Sequence, residues 1–189
     1  HWKGLEGKKV VLISGTTVGG MDITEQYFER MKTDDSLLYL PQSNECGKST
    51  VEIAQMSGLQ AECCTISTAC SSALNSIMLG CEMLRRGEAD VVIAGGSEAM
   101  SKFHLNGFNT LMILDRERCR PFDDTRAGLN LGEGAAFVVL RRDSDIGAAE
   151  GKNGIAEGIN GVAEALSGGN VLAYIGGYGN RCDAFHQTA

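Results

Sequence analysis

The chain has 189 residues, of which 43% are hydrophobic and 22% charged, and its formal net charge at pH 7 is −7. This length can bury one hydrophobic core, and no apolar run approaches the roughly 20 residues that a bilayer-spanning helix needs. Nucleic-acid binding calls for a basic face, so we expect no nucleic-acid partner for this acidic chain. Because it lacks such an apolar run, we expect no membrane partner either.

The cysteines indicate a reducing compartment. There are seven of them, an odd number, and they lack the paired spacing of a disulfide framework. No CxxC pair occurs and the three histidines are scattered, so we expect no metal site. The first ten residues, HWKGLEGKKV, contain no apolar stretch of the kind found in signal peptides. These features predict a cytoplasmic protein with reduced thiols.

The first predicted elements are a strand at residues 9–14 and a helix at 22–31 with Asp22 as its N-cap. The loop between them, GTTVGG, lacks the spacing of a GxGxxG motif and the Gly-Lys-Ser/Thr ending of a P-loop. We therefore do not expect it to cradle a phosphate. Residues 34–44 are predicted to form a polar loop, and a second helix is predicted from residue 50.

Cys70 is predicted to lie where a strand turns directly into a helix. Residues 63–67 (CCTIS) are β-prone, and residues 72–86 place apolar side chains on one helical face. That face comprises Leu74, Ile77, Met78, Cys81 and Leu84. The unpaired N–H groups and the positive dipole end of a helix N-terminus favour a thiolate over a thiol, and a thiolate is a nucleophile.

The next segment completes a β-α-β unit. The helix is predicted to stop at Gly87, after two arginines that suit the negative end of the dipole. Residues 90–95 (DVVIAG) form a short apolar run, typical of a buried strand. Strand, helix and strand predict a right-handed crossover with parallel strands, whose C-terminal ends are where reactive groups belong. Further strands are predicted at 135–140 and 171–175.

Position alone does not assign a reaction to Cys70, because most cysteines are small buried hydrophobes. The reaction is implied by a resemblance that the neighbouring residues carry. ISTACSSA at 66–73 resembles the nucleophile motif of the elongating β-ketoacyl-acyl carrier protein synthases, the ketosynthases of fatty acid and polyketide synthesis. Further blocks occur in family order: GTTVGGM (15–21), ADVVIAGGSEAM (89–100), RPFD (120–123), LGEGAA (131–136) and GYGNRCDAFHQT (177–188).

This resemblance implies an α/β protein with the thiolase-like layered fold, mainly its N-terminal half, with a mixed sheet. Residues 1–145 correspond to that half without its first segment, and residues 171–189 to the start of the C-terminal half. Residues 146–170 are longer and richer in glycine than the family link, with apolar residues at helical spacing. We interpret this stretch as an insert or linker.

The resemblance also implies a covalent mechanism. The Cys70 thiolate attacks the thioester of an acyl carrier protein, holds the acyl chain and yields it to a carbanion made by malonyl decarboxylation. Phe108 would line the acyl pocket, and Thr188 would lie beside the channel for the carrier's phosphopantetheine. No cofactor of the protein's own is implied. The implied partners are an acyl carrier protein and a second copy of the chain.

The family's decarboxylation step uses two histidines in a later half, one of them in a His-Gly-Thr-Gly-Thr motif. The histidines here are His1, His104 and His186, and none lies in a matching motif. We therefore expect that this chain does not complete condensation alone.

Docking of an acidic carrier protein would need a local basic patch on this acidic chain. The candidate is the segment DRERCRPFDDTR, with Arg116, Arg118 and Arg120. The alternative is a solvated loop in which Arg120 or Arg126 pairs with the aspartate at 123 or 124.

Three other functional interpretations stay open. A thiolase would share the fold, but its Asn-x-x-Cys motif does not fit STACSS. A cysteine hydrolase would need a histidine beside Cys70, for which only His104 and His186 are candidates. The third is an inactive partial ketosynthase chain with a structural or dimerisation role.

Overall fold

The structure is a computed structural model that describes residues 2, 4–145 and 171–181. The strands are β1 (Val10–Gly15), β2 (Glu62–Ile66), β3 (Val91–Glu98) and β4 (Gly134–Leu140). The helices are α1 (Met21–Met31), α2 (Cys46–Ser57), α3 (Ser72–Arg85) and α4 (Lys102–Thr110). Short 3-10 helices occupy Asp35–Leu37, Leu40–Asn44 and Asp143–Asp145. Within these described ranges, no helix is long and apolar enough to cross a membrane.

The four strands form one mixed sheet in the order β2-β1-β3-β4. β1 pairs in parallel with both β2 and β3, and β4 pairs antiparallel with β3. The predicted β-α-β unit is therefore confirmed, since β2 and β3 run parallel and α3 connects them. β1 lies between these two strands, so the crossover passes over one intervening strand.

The core has two sides because β1 and β3 are buried on both faces. One cluster combines Val10, Leu12, Val91 and Ile93 with Ala54 of α2. The other combines Val11, Ile13, Val92 and Ala94 with Leu84 of α3. Successive strand residues point to opposite faces, so α2 and α3 cover opposite sides of the sheet. This gives the predicted layered α/β arrangement.

Helix α3 packs mostly through small residues, which corrects the predicted apolar face in part, since of that face Leu84 is buried and Ile77 packs against the core. Its buried row is Ser72, Ser76, Gly80 and Leu84. A Cβ at Gly80 would lie 2.9 Å from side-chain carbons of both Val92 and Leu140, so the helix approaches the sheet too closely for larger side chains. Leu74, predicted on the buried face, is instead 68% exposed.

Four further predictions are corrected in detail. Gly20, not Asp22, is the N-cap of α1, and Asp22 lies in the first turn, where its charge suits the helix dipole. α2 begins at Cys46, before the predicted start at residue 50. The loop at 34–44 contains two of the 3-10 helices. The strand at 171–175 is wrong, because this stretch is exposed and pairs with no strand of the described chain.

Candidate functional site

The C-terminal ends of β1 and β3 touch the first turn of α3. A Cβ at Gly15, the last residue of β1, would lie 2.5 Å from the carbonyl carbon of Ser72. One at Gly96 would lie 2.8 Å from the carbonyl oxygen of Gly15 and 3.0 Å from Cβ of Ala73. Real Cβ atoms almost never approach so closely, so only glycine fits at these strand ends. The start of α3 is thereby seated directly on the sheet.

Cys70 lies in the short turn between β2 and α3. Ala69, just before it, has a positive φ of 51°, which residues other than glycine adopt at a cost of about 1–3 kcal/mol. The turn is closed by the N–H of Ser71 donating to the carbonyl of Thr68 and the N–H of Ser72 donating to that of Ala69. These bonds leave the N–H of Cys70 outside the hydrogen bonding of the turn.

Two serine side chains hold the same turn. The hydroxyl of Ser72 accepts the N–H of Thr68 at 2.9 Å and donates to the carbonyl of Ala69 at 2.6 Å. The hydroxyl of Ser71 donates to the carbonyl of Thr68 at 2.8 Å. A strained backbone persists where its surroundings over-determine it, and these bonds supply that restraint.

The structure confirms the predicted position of Cys70 between a strand and a helix N-terminus. Ser71 is the N-cap of α3, so the thiol stands immediately before the helix. Cys70 is exposed, and its sulfur forms no hydrogen bond within the described residues. The arrangement can present a solvent-accessible thiol on a rigid turn, beside the N–H of Cys70 itself, which the turn does not use.

Glu98 organises the glycine-rich loop next to this turn. Its carboxylate, at the end of β3, accepts the hydroxyl of Thr16 at 3.0 Å and the N–H of Thr17 at 2.6 Å. The N–H of Val18 lies 3.4 Å from the same carboxylate. A protein carboxylate thus occupies amides that a phosphate cradle would leave open. Sequence reasoning missed Glu98, whose only signal is an acidic residue ending a buried strand.

Cys46 joins the start of α2 to both neighbouring segments. Its sulfur lies 3.9 Å from the carbonyl oxygen of Thr17 and 3.9 Å from the hydroxyl of Ser67. The thiol is half-buried. No sequence motif singled it out, because its neighbours come from two distant parts of the chain.

The structure places Phe108 on α4, where it is half-buried. Its ring lies 6.3 Å from that of His104, centroid to centroid. Side chains of Ser101 and Glu25 cap the N-terminus of this helix. The Ser101 hydroxyl accepts the N–H of His104 at 3.1 Å, and the Glu25 carboxylate accepts the N–H of Lys102 at 2.6 Å.

Other predicted residues fall outside the description or do not meet. Thr188, His1, His186 and the stretch at 146–170 lie outside the described residues. No hydrogen bond joins His104 to Cys70 in the described part of the chain, so the residue pair that a hydrolase requires is not formed there. The same part holds no group of three or more potential metal ligands.

The arginine-rich segment is partly tied down. Arg120 pairs with Asp115, Nη2 to Oδ2 at 3.2 Å, and not with the predicted aspartates at 123 or 124. Bonds from the N–H groups of Glu117 and Ala127, with Arg120, hold the pKa of Asp115 below its usual value.

The other arginines of that segment differ from Arg120. Arg126 donates to the main-chain carbonyl of Asp123 at 2.8 Å. Arg116 and Arg118 are exposed and form no ion pair with any described residue. Neither of these two side chains forms a hydrogen bond with a described residue.

Two residues of the 171–181 segment contact α3. Asn180 Nδ2 donates to Asn75 Oδ1 at 2.8 Å. Farther along the helix, the Tyr178 hydroxyl donates to the Glu82 carboxylate and accepts from Arg85 at 2.9 Å. The bond between tyrosine and carboxylate is the main cause that lowers the pKa of Glu82 and raises the pKa of Tyr178. This segment is therefore anchored at two points of α3.

Comparison with known proteins gives one family. The family model described as "Beta-ketoacyl synthase, N-terminal domain" matches residues 2–146. Nodulation protein E of Rhizobium meliloti strain 1021 is 29% identical over 184 residues, which cover 93% of this chain and 40% of that protein. The 3-oxoacyl-[acyl-carrier-protein] synthase 2 of Staphylococcus aureus is 33% identical over 128 residues, 65% of this chain and 27% of that enzyme.

Solved structures give the same result. A ketosynthase (ApeO) in complex with its chain length factor (ApeC) from Xenorhabdus doucetiae superposes with a TM-score of 0.63 at 26% identity. The match covers 75% of this chain and 37% of that one. The ishigamide ketosynthase/chain length factor gives 0.64 at 27% identity, over 73% and 36%. The chain spans less than half the length of each of these relatives.

Proposed function

The chain belongs to the β-ketoacyl synthase family, and from this premise we propose that it takes an acyl group onto Cys70 in fatty acid or polyketide synthesis. The proposed activity is that of a 3-oxoacyl-[acyl-carrier-protein] synthase, an acyltransferase. The single observation that carries the proposal is the exposed Cys70 thiol on a restrained turn at the N-terminus of α3.

The proposed first step is a thioester exchange. The Cys70 thiolate attacks the carbonyl carbon of an acyl-phosphopantetheine, and the electron pair of the C=O bond moves onto oxygen. The N–H of Cys70 itself, which the turn does not use, donates to that oxyanion. One preorganised donor of this kind can lower a barrier by about 3 kcal/mol. The electron pair then returns to re-form the C=O bond as the carbon–sulfur bond to phosphopantetheine breaks, and the departing thiolate takes up the proton that the Cys70 thiol released on ionising.

The second step, condensation, needs groups for malonyl decarboxylation. None of the three histidines lies in a motif matching the family's catalytic histidines. We propose that these 189 residues load an acyl chain but do not elongate it unaided.

Acylation is tested by mass spectrometry. The chain is incubated with octanoyl-phosphopantetheine, and the adduct is located on tryptic peptides. We expect acylation of Cys70 and none of Cys119, which is also exposed. Cys70→Ala should abolish the adduct, and Cys119→Ala should leave it unchanged. A wild-type chain without adduct would overturn the proposal and favour the structural role, whereas β-ketoacyl product formed from acetyl-CoA as acceptor would favour a thiolase.

We propose that the carrier protein docks on Arg116 and Arg118. Both are exposed cations, in contrast to Arg120, which Asp115 engages. Reversing both charges to glutamate should slow acylation from an acyl carrier protein severalfold while leaving acylation from free acyl-phosphopantetheine unchanged. Arg30→Glu, an exposed cation on α1, is the matched control. Equal slowing with both donors would contradict docking at this segment.

We propose that a second copy pairs with the edge strand β2. Among the described residues this strand bonds only to β1, and Glu62 and Cys63 are exposed. Open edges present unpaired backbone N–H and C=O groups, which favour another strand. Light scattering should give twice the chain mass of 20.1 kDa, and Cys63→Lys should shift it to the monomer, while Cys119→Lys should not. A monomeric wild-type chain would refute this proposal.

A further inference from the structure

We propose that Asn75 is a positioning residue for Cys70 and couples residues 171–181 to the nucleophile turn. The inference rests on the proposed function of Cys70. The observation that supports it is a chain of side-chain hydrogen bonds that runs from Asn180, through Asn75, to the hydroxyl of Thr68.

Asn75 lies one turn into α3, and its amide is fully used. Its Nδ2 donates to Thr68 Oγ1 at 2.7 Å and approaches Ser71 Oγ at 3.2 Å. Its Oδ1 accepts Nδ2 of Asn180 at 2.8 Å. Asparagine is a weak helix former, so its place inside α3 is unfavourable to the helix unless its hydrogen bonds compensate.

The bond to Thr68 matters because this residue directly precedes the strained turn. The N–H of Thr68 is held by Ser72 and its carbonyl by Ser71, at 2.9 Å and 2.8 Å. Asn75 fixes the third polar atom, the hydroxyl. Ala69 comes next, with its left-handed φ of 51°. Removing the Asn75 bond leaves the threonine hydroxyl with only the Ser71 hydroxyl, at 3.1 Å, and so loosens one restraint on the turn that aims Cys70.

Asn180 bonds the end of the Asn75 amide that faces away from the turn. The Ser71 hydroxyl donates its proton to the carbonyl of Thr68, so it can only accept from Asn75, and this directs Nδ2 of Asn75 at the turn. The oxygen of Asn75 then faces Asn180, whose Nδ2 donates to it. A residue 105 positions away in sequence from Asn75 thus acts on the turn through one intermediate side chain.

The contact between Tyr178 and α3 keeps Asn180 in place. The tyrosine hydroxyl bonds both Glu82 and Arg85, which lie on the same helix beyond Asn75. The Arg85 guanidinium also lies 5.1 Å from the centre of the Tyr178 ring. The segment therefore meets α3 at a second point, independent of the Asn75 bond.

The test is the rate of Cys70 acylation by octanoyl-phosphopantetheine as a function of thioester concentration. We expect Asn75→Ala to lower the maximal rate about tenfold with the half-saturating concentration unchanged, since orientation and not binding is lost. Asn180→Ala, which leaves the helix intact, should lower it about threefold. Asn106→Ala, an exposed asparagine on α4, is the control and should have no effect.

A double-variant cycle separates positioning from general destabilisation. If Asn75 acts through the threonine hydroxyl, Thr68→Val should be as slow as Asn75→Ala, and the double variant no slower than either. Multiplying effects, or an unchanged rate in both Asn75→Ala and Asn180→Ala, would overturn this inference and leave the proposed function standing.

A chain that takes up no acyl group even as wild type would instead refute the proposed function. The positioning role is then measured by alkylation of Cys70 with iodoacetamide, with Cys119 in the same chain as reference. A slower relative rate in Asn75→Ala supports it, and an equal rate overturns it.

Discussion

Glu98 accepts the backbone N–H of Thr17 at 2.6 Å. This bond ties the end of β3 to the loop after β1, across 81 positions of sequence. Because the loop begins at Gly15, which touches Ser72, the carboxylate of Glu98 indirectly supports the start of α3.

Glu98→Ala should therefore destabilise the protein. Hydrogen bonds to a charged group are worth about 1.5–3 kcal/mol, and the loop amides would lose their common acceptor. The free energy of unfolding, measured by urea denaturation, should fall by about that amount. Glu88→Ala, an exposed glutamate after α3, should change it by less than about 0.5 kcal/mol. Equal effects of the two variants would contradict the assigned role of Glu98.

Gly15→Ala should be among the most damaging single methyl additions in this chain. The new Cβ would lie 2.5 Å from a backbone atom of Ser72, which cannot rotate away as a side chain would. Overpacking typically costs about 1–3 kcal/mol, and a contact with fixed backbone should cost an amount at the upper end of that range.

The matched control is Gly107→Ala on α4, where a Cβ meets nothing within 4 Å. That substitution should stabilise the helix by about 0.5–1 kcal/mol. Thermal unfolding measured by circular dichroism checks both variants, and a Gly15→Ala protein as stable as wild type would refute the close approach of β1 and α3.

Ala69→Gly should raise the free energy of unfolding by about 1 kcal/mol. The residue has a φ of 51°, where glycine avoids the clash between Cβ and carbonyl that alanine incurs. Chemical denaturation measures the change. A loss of stability would show that the left-handed conformation is not the native one at this position.

Asp115 should contribute to stability in a pH-dependent way. The N–H groups of Glu117 and Ala127, and then Arg120, lower its pKa from the usual 3.8 in the folded state. At a pH between the folded and unfolded pKa values of Asp115, the unfolded state binds more protons than the folded state. The stabilising contribution of Asp115 is therefore complete above about pH 4 and is lost as pH falls below that value. In Asp115→Asn, the fall in unfolding free energy between about pH 7 and pH 3 should be smaller. An identical fall in both proteins would contradict this assignment.

Residue patterns predict much of the local structure. The apolar run before Gly15 predicts β1, and the pattern around Cys70 predicts β2, the turn and α3 within one residue of their observed bounds. Hydrophobic periodicity and glycine stops report each segment's own geometry, which does not depend on the rest of the chain. The stretch at 171–175 shows the limit, since its apolar residues predict a strand but a strand also needs a neighbour with free backbone groups.

Local residue order thus sets the kind of most elements and the placement of one thiol between a strand and a helix. Long-range packing sets the rest: small residues face the sheet from α3, Glu98 holds the Thr17 loop and Asn180 reaches Asn75. The Glu98–Thr17 bond spans 81 residues of sequence and the Asn180–Asn75 bond spans 105. Both bonds depend on strand order and on how closely the layers pack. Local periodicity contains no record of either quantity.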